Sequence, residues 1–426
     1  MTAPDTAFDQ AATLPRWLAV IGIGEDGAAG LSPAARTLID QAELVVGGAR
    51  HLALVDGLGT AERLAWPSPL TDALPLIAAR RGRPVAVLAS GDPFLYGVGV
   101  TLTSVIDPAE MIALPAPSAF SLAANRLGWA GQDVVPLSLH GRSFERLYPA
   151  LQPKARLLIL SWDGTTPARV AAALTERGFG GSRLTVLERL GGPRERIRTA
   201  TAAHFGAERG TEPIDGLNTI AVEVVVGADA RVLPRAPGLP DGWFASEGQI
   251  TKREIRAVTL SALAPRRGEL LWDIGAGSGS VSIEWMLADP ANRAIAIEPR
   301  ADRRGRIATN AVTLGVPDLD IRAGRAPEIL ADLPRPDAIF VGGGGSDPAL
   351  IDAAIAALPA GGRLVVSGVT IETQAELMRR YGALGGELVQ LAVARADAIG
   401  GFHGFRAAMP VVQWAWTKPH APEAIR

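Results

Sequence analysis

The chain has 426 residues, 48% of them hydrophobic, and a formal net charge of -2 with no basic run and no acidic tail. This balance excludes a nucleic-acid or anionic-membrane partner held by charge and favours a small-molecule substrate. Cysteine is absent, which excludes disulfides, thiolate nucleophiles and cysteine-ligated metals, and the five histidines lack ligand spacing, so we expect no metal site.

The N-terminal residues MTAPDTAFDQAATLPRW lack a basic segment followed by an apolar core, and no apolar stretch reaches spanning length. We therefore expect a cytoplasmic protein without a membrane partner. The length favours two or three domains.

Three apolar strands in the N-terminal half are each followed by a loop of small residues. They lie in WLAVIGIGEDG (17–27), PVAVLASGDPFLYGVG (84–99) and LPAPSAFSLAANRLGW (114–129), where Ser118 stands at a predicted helix start. The pattern predicts three loops on one edge of a parallel sheet. Taken singly, each loop is also explained by ordinary turn chemistry.

A domain boundary is predicted in RVLPRAPGLPDGW (231–243), where prolines and glycines can continue neither a helix nor a central strand. We assign domains to residues 16–229 and 238–418. Beyond the boundary, alternating helices and strands predict an α/β fold with a doubly wound sheet. The predicted helices are 251–264, 279–288, 301–314 and 347–358, and the predicted strands are 269–274, 293–298, 319–322, 337–341 and 362–367.

The segment DIGAGSGS (273–280) joins the first of these strands to a helix. Asp273 ends the strand, and Gly275, Gly277 and Gly279 allow a sharp turn and close approach of a ligand. Glu298 ends the next strand, where its carboxylate can accept both hydroxyls of a ribose. The pair predicts a nucleoside site of the type found in S-adenosylmethionine-dependent methyltransferases with a Rossmann-like fold. The alternative is an α/β protein that merely needs a tight turn there.

The N-terminal loops resemble those of the tetrapyrrole methylase superfamily, with a strand-GxG start, an SGDPxxxG loop and a proline-serine loop. The resemblance covers residues 16–229 and implies two α/β subdomains with S-adenosylmethionine in the cleft between them. Many relatives read GxGPGD where this chain has GIGEDG, so a contact of the family proline is not expected here. The implied cofactor contacts are Ser90, Gly91, Asp92, Leu95, Ser118 and Ala119.

Other motifs resemble two families of precorrin methylase. SLHGR (138–142) and ERLGG (188–192) are similar to the methylases that act at carbon 5 of the corrin precursor. The C-terminal half resembles the decarboxylating methylases that act at carbon 15, and its GRAPEIL segment adds Ala326 to the implied cofactor contacts. The other matching segments are LPDGWF (239–244), ITKREIRAVTLSAL (250–263), FVGGGGSD (340–347) and PAGGRLVVSGVTIET (359–373).

In this order the halves resemble the bifunctional, decarboxylating precorrin methyltransferases of cobalamin biosynthesis. The resemblance implies methylation of precorrin-6Y/6B at carbons 5 and 15 with decarboxylation of the ring C acetate, giving precorrin-8. It implies one S-adenosylmethionine site per domain, a tetrapyrrole substrate and a homo-oligomer. Two alternatives stay open: a cobalt-containing substrate, and a scaffold that binds tetrapyrrole or S-adenosylmethionine without turnover.

Such a substrate carries many carboxylates, which cationic side chains would hold. The candidates are Arg142, Lys252, Arg253 and Arg256. The ITKREIR segment can also be interpreted as a solvated first helical turn with Thr251 as N-cap and Glu254 in a capping box. Decarboxylation needs a proton donor, for which we name Glu254 and His403, the latter in a predicted glycine-rich loop at 396–407.

Overall fold

The computed structural model describes residues 16–205 and 212–420; the N-terminal residues interpreted above as lacking a targeting signal lie mostly outside this range. The chain forms two compact units. The first comprises the residues up to Arg142 together with Gln152–Arg231, and the second comprises Ser143–Leu151 together with the chain from Val232 onward. In the second unit Tyr148 packs against the hydrophobic core. Among the described residues, no helix is long and apolar enough to cross a membrane.

The first unit begins with a parallel five-stranded sheet in the order β3-β2-β4-β1-β5. The three strands predicted to share an edge, β4, β1 and β5, are neighbours, which confirms that placement. The strands are β1 Leu18–Ile23, β2 Leu44–Gly47, β3 Glu62–Ala65, β4 Val85–Ser90 and β5 Met111–Leu114; the helices are α1 Pro33–Gln41, α2 Ala49–Leu54, α3 Leu74–Ala78, α4 Gly99–Leu102 and α5 Ala119–Leu127.

A second five-stranded sheet, in the order β6-β7-β10-β8-β9, completes the first unit. Only its β6 and β7 run parallel to each other, and the other pairs are antiparallel. The elements are β6 Val134–Ser138, β7 Arg156–Leu160, α6 Thr166–Glu176, β8 Arg183–Glu188, β9 Arg196–Thr201 and β10 Asn218–Glu223.

The second unit is built on a seven-stranded sheet in the order β13-β12-β11-β14-β15-β19-β16. Its first five strands are parallel, whereas β19 pairs antiparallel with β15 and β16. The strands are β11 Leu270–Ile274, β12 Arg293–Ile297, β13 Asp320–Arg322, β14 Ala338–Val341, β15 Arg363–Gly368, β16 Glu387–Leu391, β17 Ala394–Ile399, β18 Phe402–Ala407 and β19 Val411–Thr417; the helices are α7 Arg253–Leu263, α8 Ser280–Ala288, α9 Ala301–Thr313, α10 Pro348–Ala357 and α11 Ile371–Leu384.

Neighbouring residues of the central strands enter different cores because strand side chains alternate between the two faces. Leu271 belongs to the hydrophobic cluster on one face, and Leu270 and Trp272 belong to the cluster on the other. Burial on both faces explains why these strands are continuous apolar runs in the sequence.

The predicted strands and helices between 251 and 367 match the observed ones to within two residues at each end. Two expectations were wrong. The predicted loop at 396–407 is an antiparallel hairpin of β17 and β18. Helix α7 begins at Arg253 with Lys252 as N-cap and no side-chain capping bond, so neither the Thr251 cap nor the capping box forms.

A buried ion pair fixes the start of the second unit. The Arg256 side chain is 0% exposed, and its Nε donates to Glu284 Oε1 at 2.5 Å. Glu284 also accepts the backbone N–H groups of Gly238 and Leu239, at 2.5 and 2.9 Å. The guanidinium donates to the carbonyl of Leu239 and lies 4.8 Å from the centroid of the Phe244 ring. Charge-assisted bonds therefore hold the chain at 238–244 against α7 and α8.

Asp273 anchors the glycine turn from beneath. Its Oδ2 accepts the Ser282 N–H at 3.1 Å and the Ser282 hydroxyl at 2.6 Å, which ties the end of β11 to α8. Its Oδ1 has no hydrogen-bond partner among the described residues. Burial, with a smaller effect of the nearby Glu298 charge, raises the pKa of Asp273 to about 6.

Removing one partner of the buried pair is expected to destabilise the second unit. Glu284→Gln should cost about 3 kcal/mol in the free energy of unfolding, because the buried Arg256 then keeps only the partly exposed Asp241 carboxylate, 3.2 Å away, as a counter-charge. Urea denaturation measures the loss, and hydrogen exchange of α7 and α8 peptides locates it. The control is Asp320→Asn, which breaks an exposed ion pair with Arg322 and should cost at most about 1 kcal/mol. Equal losses in both variants would contradict the assignment.

Asp273→Asn is expected to change how stability depends on pH. The folded protein keeps a proton on Asp273 up to about pH 6, whereas the unfolded chain loses it near the ordinary aspartate pKa of 3.8. The contribution of Asp273 to stability should therefore fall as pH rises between these values. The variant should lack this contribution, so its stability relative to wild type should increase by about 2 to 3 kcal/mol between pH 4 and pH 7. Urea midpoints measured from pH 4 to 8 test this, and a constant difference between the two proteins would contradict it.

Candidate functional site

A large cavity opens at the carboxyl ends of β11, β12 and β14 in the second unit. Its volume is about 1060 Å³, at the upper end of the roughly 300 to 1,000 Å³ of small-molecule pockets. Gly275 and Gly277 of the predicted nucleoside turn line it, together with Glu298 and Ala326. Four residues that the sequence named as cofactor contacts thus lie together in one wall of the cavity, and their contact with a cofactor stays a prediction.

Glu298 follows β12 and presents a carboxylate with unused acceptor capacity. It is 1% exposed. Oε2 accepts the Gly277 N–H at 3.1 Å, and Oε1 accepts the Arg300 N–H at 3.0 Å. Each oxygen can accept a further hydrogen bond, so both could receive a ribose hydroxyl. The bond to Gly277 also fixes the carboxylate relative to the turn.

The turn itself is a close backbone crossing. A Cβ on Gly275 would lie 2.9 Å from the backbone nitrogen of Gly343, in the FVGGGGSD segment, so a side chain there would displace that loop. Gly277 has a φ of +59° but more space, with its nearest neighbour, the Gln249 carbonyl oxygen, 3.4 Å from an added Cβ. The two backbones form a cradle in which a planar or extended ligand can lie against peptide groups.

Two of the expected cofactor contacts lie behind this cradle. Asp273 is buried under the turn and bound to Ser282, and Gly279 packs against Ile307. Both residues pack on the inner side of the turn and support its shape. Direct contact of either with the cofactor is therefore no longer expected.

The expected cationic residues divide between the cavity and the core. Lys252 and Glu254 line the cavity, and Glu254 is ion-paired with Arg395 of the hairpin. The Arg253 stem runs beside Gly238 instead. Arg256 is fully buried and ion-paired with Glu284 in the core. Its guanidinium cannot reach a substrate carboxylate, so the expectation that Arg256 binds substrate is wrong.

Sequence reasoning missed the contribution of the hairpin. Arg395, Asp397 and Arg406 line the cavity, with Arg406 in an ion pair with Asp397 at 3.2 Å. The only sequence signal was a pair of arginines at the two ends of the segment interpreted as a loop. His403 lies on β18 of the same hairpin and is exposed, opposite Ala398, and is not part of the cavity wall. Arg303 and Arg325 are further cations of the wall.

In the first unit, the three predicted loops meet around Gly22 at the end of β1. A Cβ on Gly22 would lie 1.9 Å from the Gly91 carbonyl oxygen and 2.4 Å from the Ala116 nitrogen. Gly91 donates its N–H to Ile23, and its carbonyl accepts the Ala116 N–H, both at 3.1 Å. The loops after β4, β1 and β5 are thus joined backbone to backbone at one sheet edge.

The expected cofactor contacts of this unit lie on or beside these loops. Ser90 and Leu95 are exposed, Asp92 is half-buried with Oδ1 accepting the Phe94 N–H, and Gly91 is buried at the crossing. Ser118 caps α5 by accepting the Ser121 N–H at 3.1 Å, and Ala119 begins that helix. Ser118 therefore has the predicted capping role, and its cofactor contact stays a prediction.

Arg142, the expected substrate ligand of the first unit, lies over the Tyr96 ring, with 5.1 Å between Cζ and the ring centroid. Tyr96 follows the SGDP segment and is 46% exposed. This stacking places a cation and an aromatic face together beside the loop that carries Ser90.

Two family models match the chain. Tetrapyrrole (corrin/porphyrin) methylases match residues 18–206, and the precorrin methyltransferase domain matches residues 242–418. A relative from Sinorhizobium sp, a precorrin-6Y C(5,15)-methyltransferase [decarboxylating], is 54% identical over 414 residues, covering 97% of this chain and 99% of the relative.

Shorter relatives match part of the chain. A probable cobalt-precorrin-6B C(15)-methyltransferase (decarboxylating) of Pyrobaculum calidifontis is 39% identical over 41% of this chain and 93% of its own length. A cobalt-precorrin-7 C(5)-methyltransferase of Salmonella typhimurium is 35% identical over 45% of this chain and 94% of its own length. With both domain families matched and a relative aligned over nearly its whole length, the chain is a methyltransferase that belongs to the precorrin-6Y C(5,15)-methyltransferase (decarboxylating) family.

Proposed function

We propose that the protein methylates precorrin-6Y/6B at carbons 5 and 15 and removes the ring C acetate carboxyl as CO2, giving precorrin-8. The first unit carries the carbon 5 reaction. The second carries the carbon 15 reaction and the decarboxylation. Each unit binds one S-adenosylmethionine.

The observation that carries this proposal is the cavity of the second unit. The Gly275–Gly277 cradle and the Glu298 carboxylate offer peptide groups and a ribose acceptor. Lys252, Arg395 and Arg406 line the same cavity and offer cations for the carboxylates of a tetrapyrrole. One cavity thus combines groups suited to a nucleoside with groups suited to carboxylates, and the division of labour is supported by relatives named separately for carbon 5 and carbon 15.

S-adenosylmethionine supplies the electrophilic methyl group, so the protein needs no nucleophile of its own and its task is alignment with water excluded. A carbon of the macrocycle forms the new C–C bond as the C–S bond breaks and S-adenosylhomocysteine leaves; the positive charge passed to the ring is removed by loss of a ring proton or, where the acetate is cleaved, by loss of CO2 from its carboxylate. In decarboxylation the electron pair of the broken C–C bond passes into the conjugated ring, and a proton must reach the carbon that lost CO2. Of the two expected proton donors only Glu254 lies on the cavity wall, and its ion pair with Arg395 must open before the carboxylate can carry a proton.

The metal-free substrate is favoured because the relative that aligns with nearly the whole chain is named for precorrin-6Y. The cobalt-containing precorrin is the second candidate, since the two shorter relatives are named for cobalt-precorrins. Incubation with each precursor and labelled S-adenosylmethionine, followed by counting methyl groups and CO2 by mass, separates them. Turnover of neither precursor would overturn the proposal. Assembly into a homo-oligomer also stays a prediction, which light scattering can test.

Two carboxylates should affect the two cofactor sites separately. Glu298→Ala removes an expected ribose acceptor and should weaken S-adenosylmethionine binding in the second unit, at a cost of about 1 to 3 kcal/mol, or roughly 5- to 150-fold. Asp92→Ala should weaken only the first unit's site. Calorimetric titration of the full chain resolves the two sites, and equal weakening of both by either change would contradict the assignment.

Methylation at carbon 15 and decarboxylation should be lost together. Gly277→Arg imposes a left-handed φ on an arginine and places its side chain in the cavity. The product should then gain one methyl and keep its acetate. The matched control is Gly305→Arg, on exposed α9 with open space around the added Cβ, which should give the normal product. A Gly277→Arg variant that releases CO2 at the wild-type rate would show that the second unit does not couple the two steps.

A further inference from the structure

Glu25 stands in the GIGEDG segment, where many tetrapyrrole methylases read GxGPGD. Its side chain is 10% exposed and lies between two guanidinium groups. One carboxylate oxygen accepts from Arg50, and the other accepts from Arg189 Nη1 at 3.0 Å. A Cβ on Gly192 would lie 2.6 Å from the Glu25 Cβ, so the ERLGG loop comes into close contact with this carboxylate. Glu25 therefore joins the loop after β1 to the loop after β8.

Arg50 connects the Glu25 carboxylate to Ser90, the last residue of β4. Its Nη2 donates to Ser90 Oγ at 2.8 Å and to His51 Nε2 at 2.7 Å. Since an arginine only donates, His51 Nε2 must accept, and the Ser90 hydroxyl 2.8 Å away can donate to the same nitrogen. Burial, with the Arg50 charge second, lowers the pKa of His51 to about 4, so the ring is neutral at neutral pH. The Ser90 oxygen is thus held in place by Arg50, while its hydroxyl hydrogen competes with Arg50 for the one lone pair of His51 Nε2.

Carboxylates balance the charges of Arg50 and Arg189. Arg189 also donates its Nε to Asp215 at 2.5 Å, and its backbone has a φ of 48°, which side chains rarely adopt. These two arginines and the carboxylates of Glu25 and Asp215 therefore balance one another beside the exposed Ser90. Arg194 adds a further positive charge near Asp215. Without the Glu25 carboxylate, Arg50 would be left with neutral partners, and the positive charge beside Ser90 would increase by one.

We propose that Glu25 is a positioning residue for the methyl transfer of the first unit, neutralising Arg50 and Arg189 and fixing Ser90 so that the cationic sulfonium of the methyl donor is accepted. This rests on the proposed cofactor site of that unit. An uncompensated arginine would repel the sulfonium: at an effective dielectric constant near 20, two like unit charges about 10 Å apart weaken binding on the order of 10-fold. S-adenosylhomocysteine, whose sulfur is uncharged, would lose much less.

The test measures both ligands on the full chain carrying Gly277→Arg, so that only the first unit binds. That background should bind one S-adenosylmethionine. If it binds none, the proposed cofactor site of the first unit is wrong, and this result is distinct from a failure of the role inferred for Glu25. Glu25→Gln should weaken S-adenosylmethionine on the order of 10-fold more than S-adenosylhomocysteine. Glu25→Asp, which keeps the charge, should preserve the ratio of the two affinities. Glu25→Gln combined with Arg50→Gln should restore it.

The matched control is Glu62→Gln, which removes a carboxylate of the same unit from its exposed pair with Arg80, at the start of β3 and on the opposite sheet edge. It should change neither affinity. If circular dichroism shows that Glu25→Gln does not fold, Asp215→Asn carries the test, with the same direction of change expected. Equal weakening of both ligands, or no weakening of either, would overturn the inference, because a purely structural role does not distinguish a sulfonium from a sulfide.

Discussion

In both units a central parallel strand ends at a point where a neighbouring loop crosses it with the two backbones in contact. The arrangement of each candidate site depends on this crossing. Gly22 is the last residue but one of β1 and lies against the loops after β4 and β5, and Gly275 follows β11 against Gly343. A side chain at either glycine would push the loops apart. Because the carboxyl ends of parallel strands meet at one edge, these crossings bring groups from distant parts of the sequence together. Ser90 and Glu298 owe their positions to these crossings.

The charged residues of a functional motif need not all serve the reaction. In ITKREIR, Lys252 faces the cavity while Arg256, four residues later, lies in the core against Glu284. The buried pair holds the preceding chain at 238–244, and the cavity wall at 249–255 continues from it. The motif thus combines a substrate-facing turn with the ion pair that fixes where this turn begins.

The strands and the cofactor turn could be predicted because their signals are local. Apolar runs ending in glycine or a carboxylate identified β11, β12 and their loops to within a residue or two. Arg256 could not be predicted, because its burial depends on Glu284, 28 residues further on. The hairpin could not be predicted either. Almost every residue of β17 and β18 is exposed, so these strands show no alternation of apolar and polar side chains. For the same reason, Arg395 and Arg406 were not predicted to line the cavity.

The second unit is discontinuous, since Ser143–Leu151 belongs to it while Gln152–Arg231 belongs to the first. The residues between enter through β7 and leave through β10, which pair antiparallel with Arg156 opposite Glu223, and the Val224 N–H bonds to the Ala155 carbonyl at 2.9 Å. Once this pair has formed, the two ends of the insertion are already adjacent. The conformational entropy lost on closing so long a loop is then lost when the first unit folds, and not when the second unit folds. Folding of the second unit should accordingly be fastest in a chain whose first unit is already formed, and cutting the polypeptide at the 231–243 linker would leave Ser143–Leu151 on the wrong fragment.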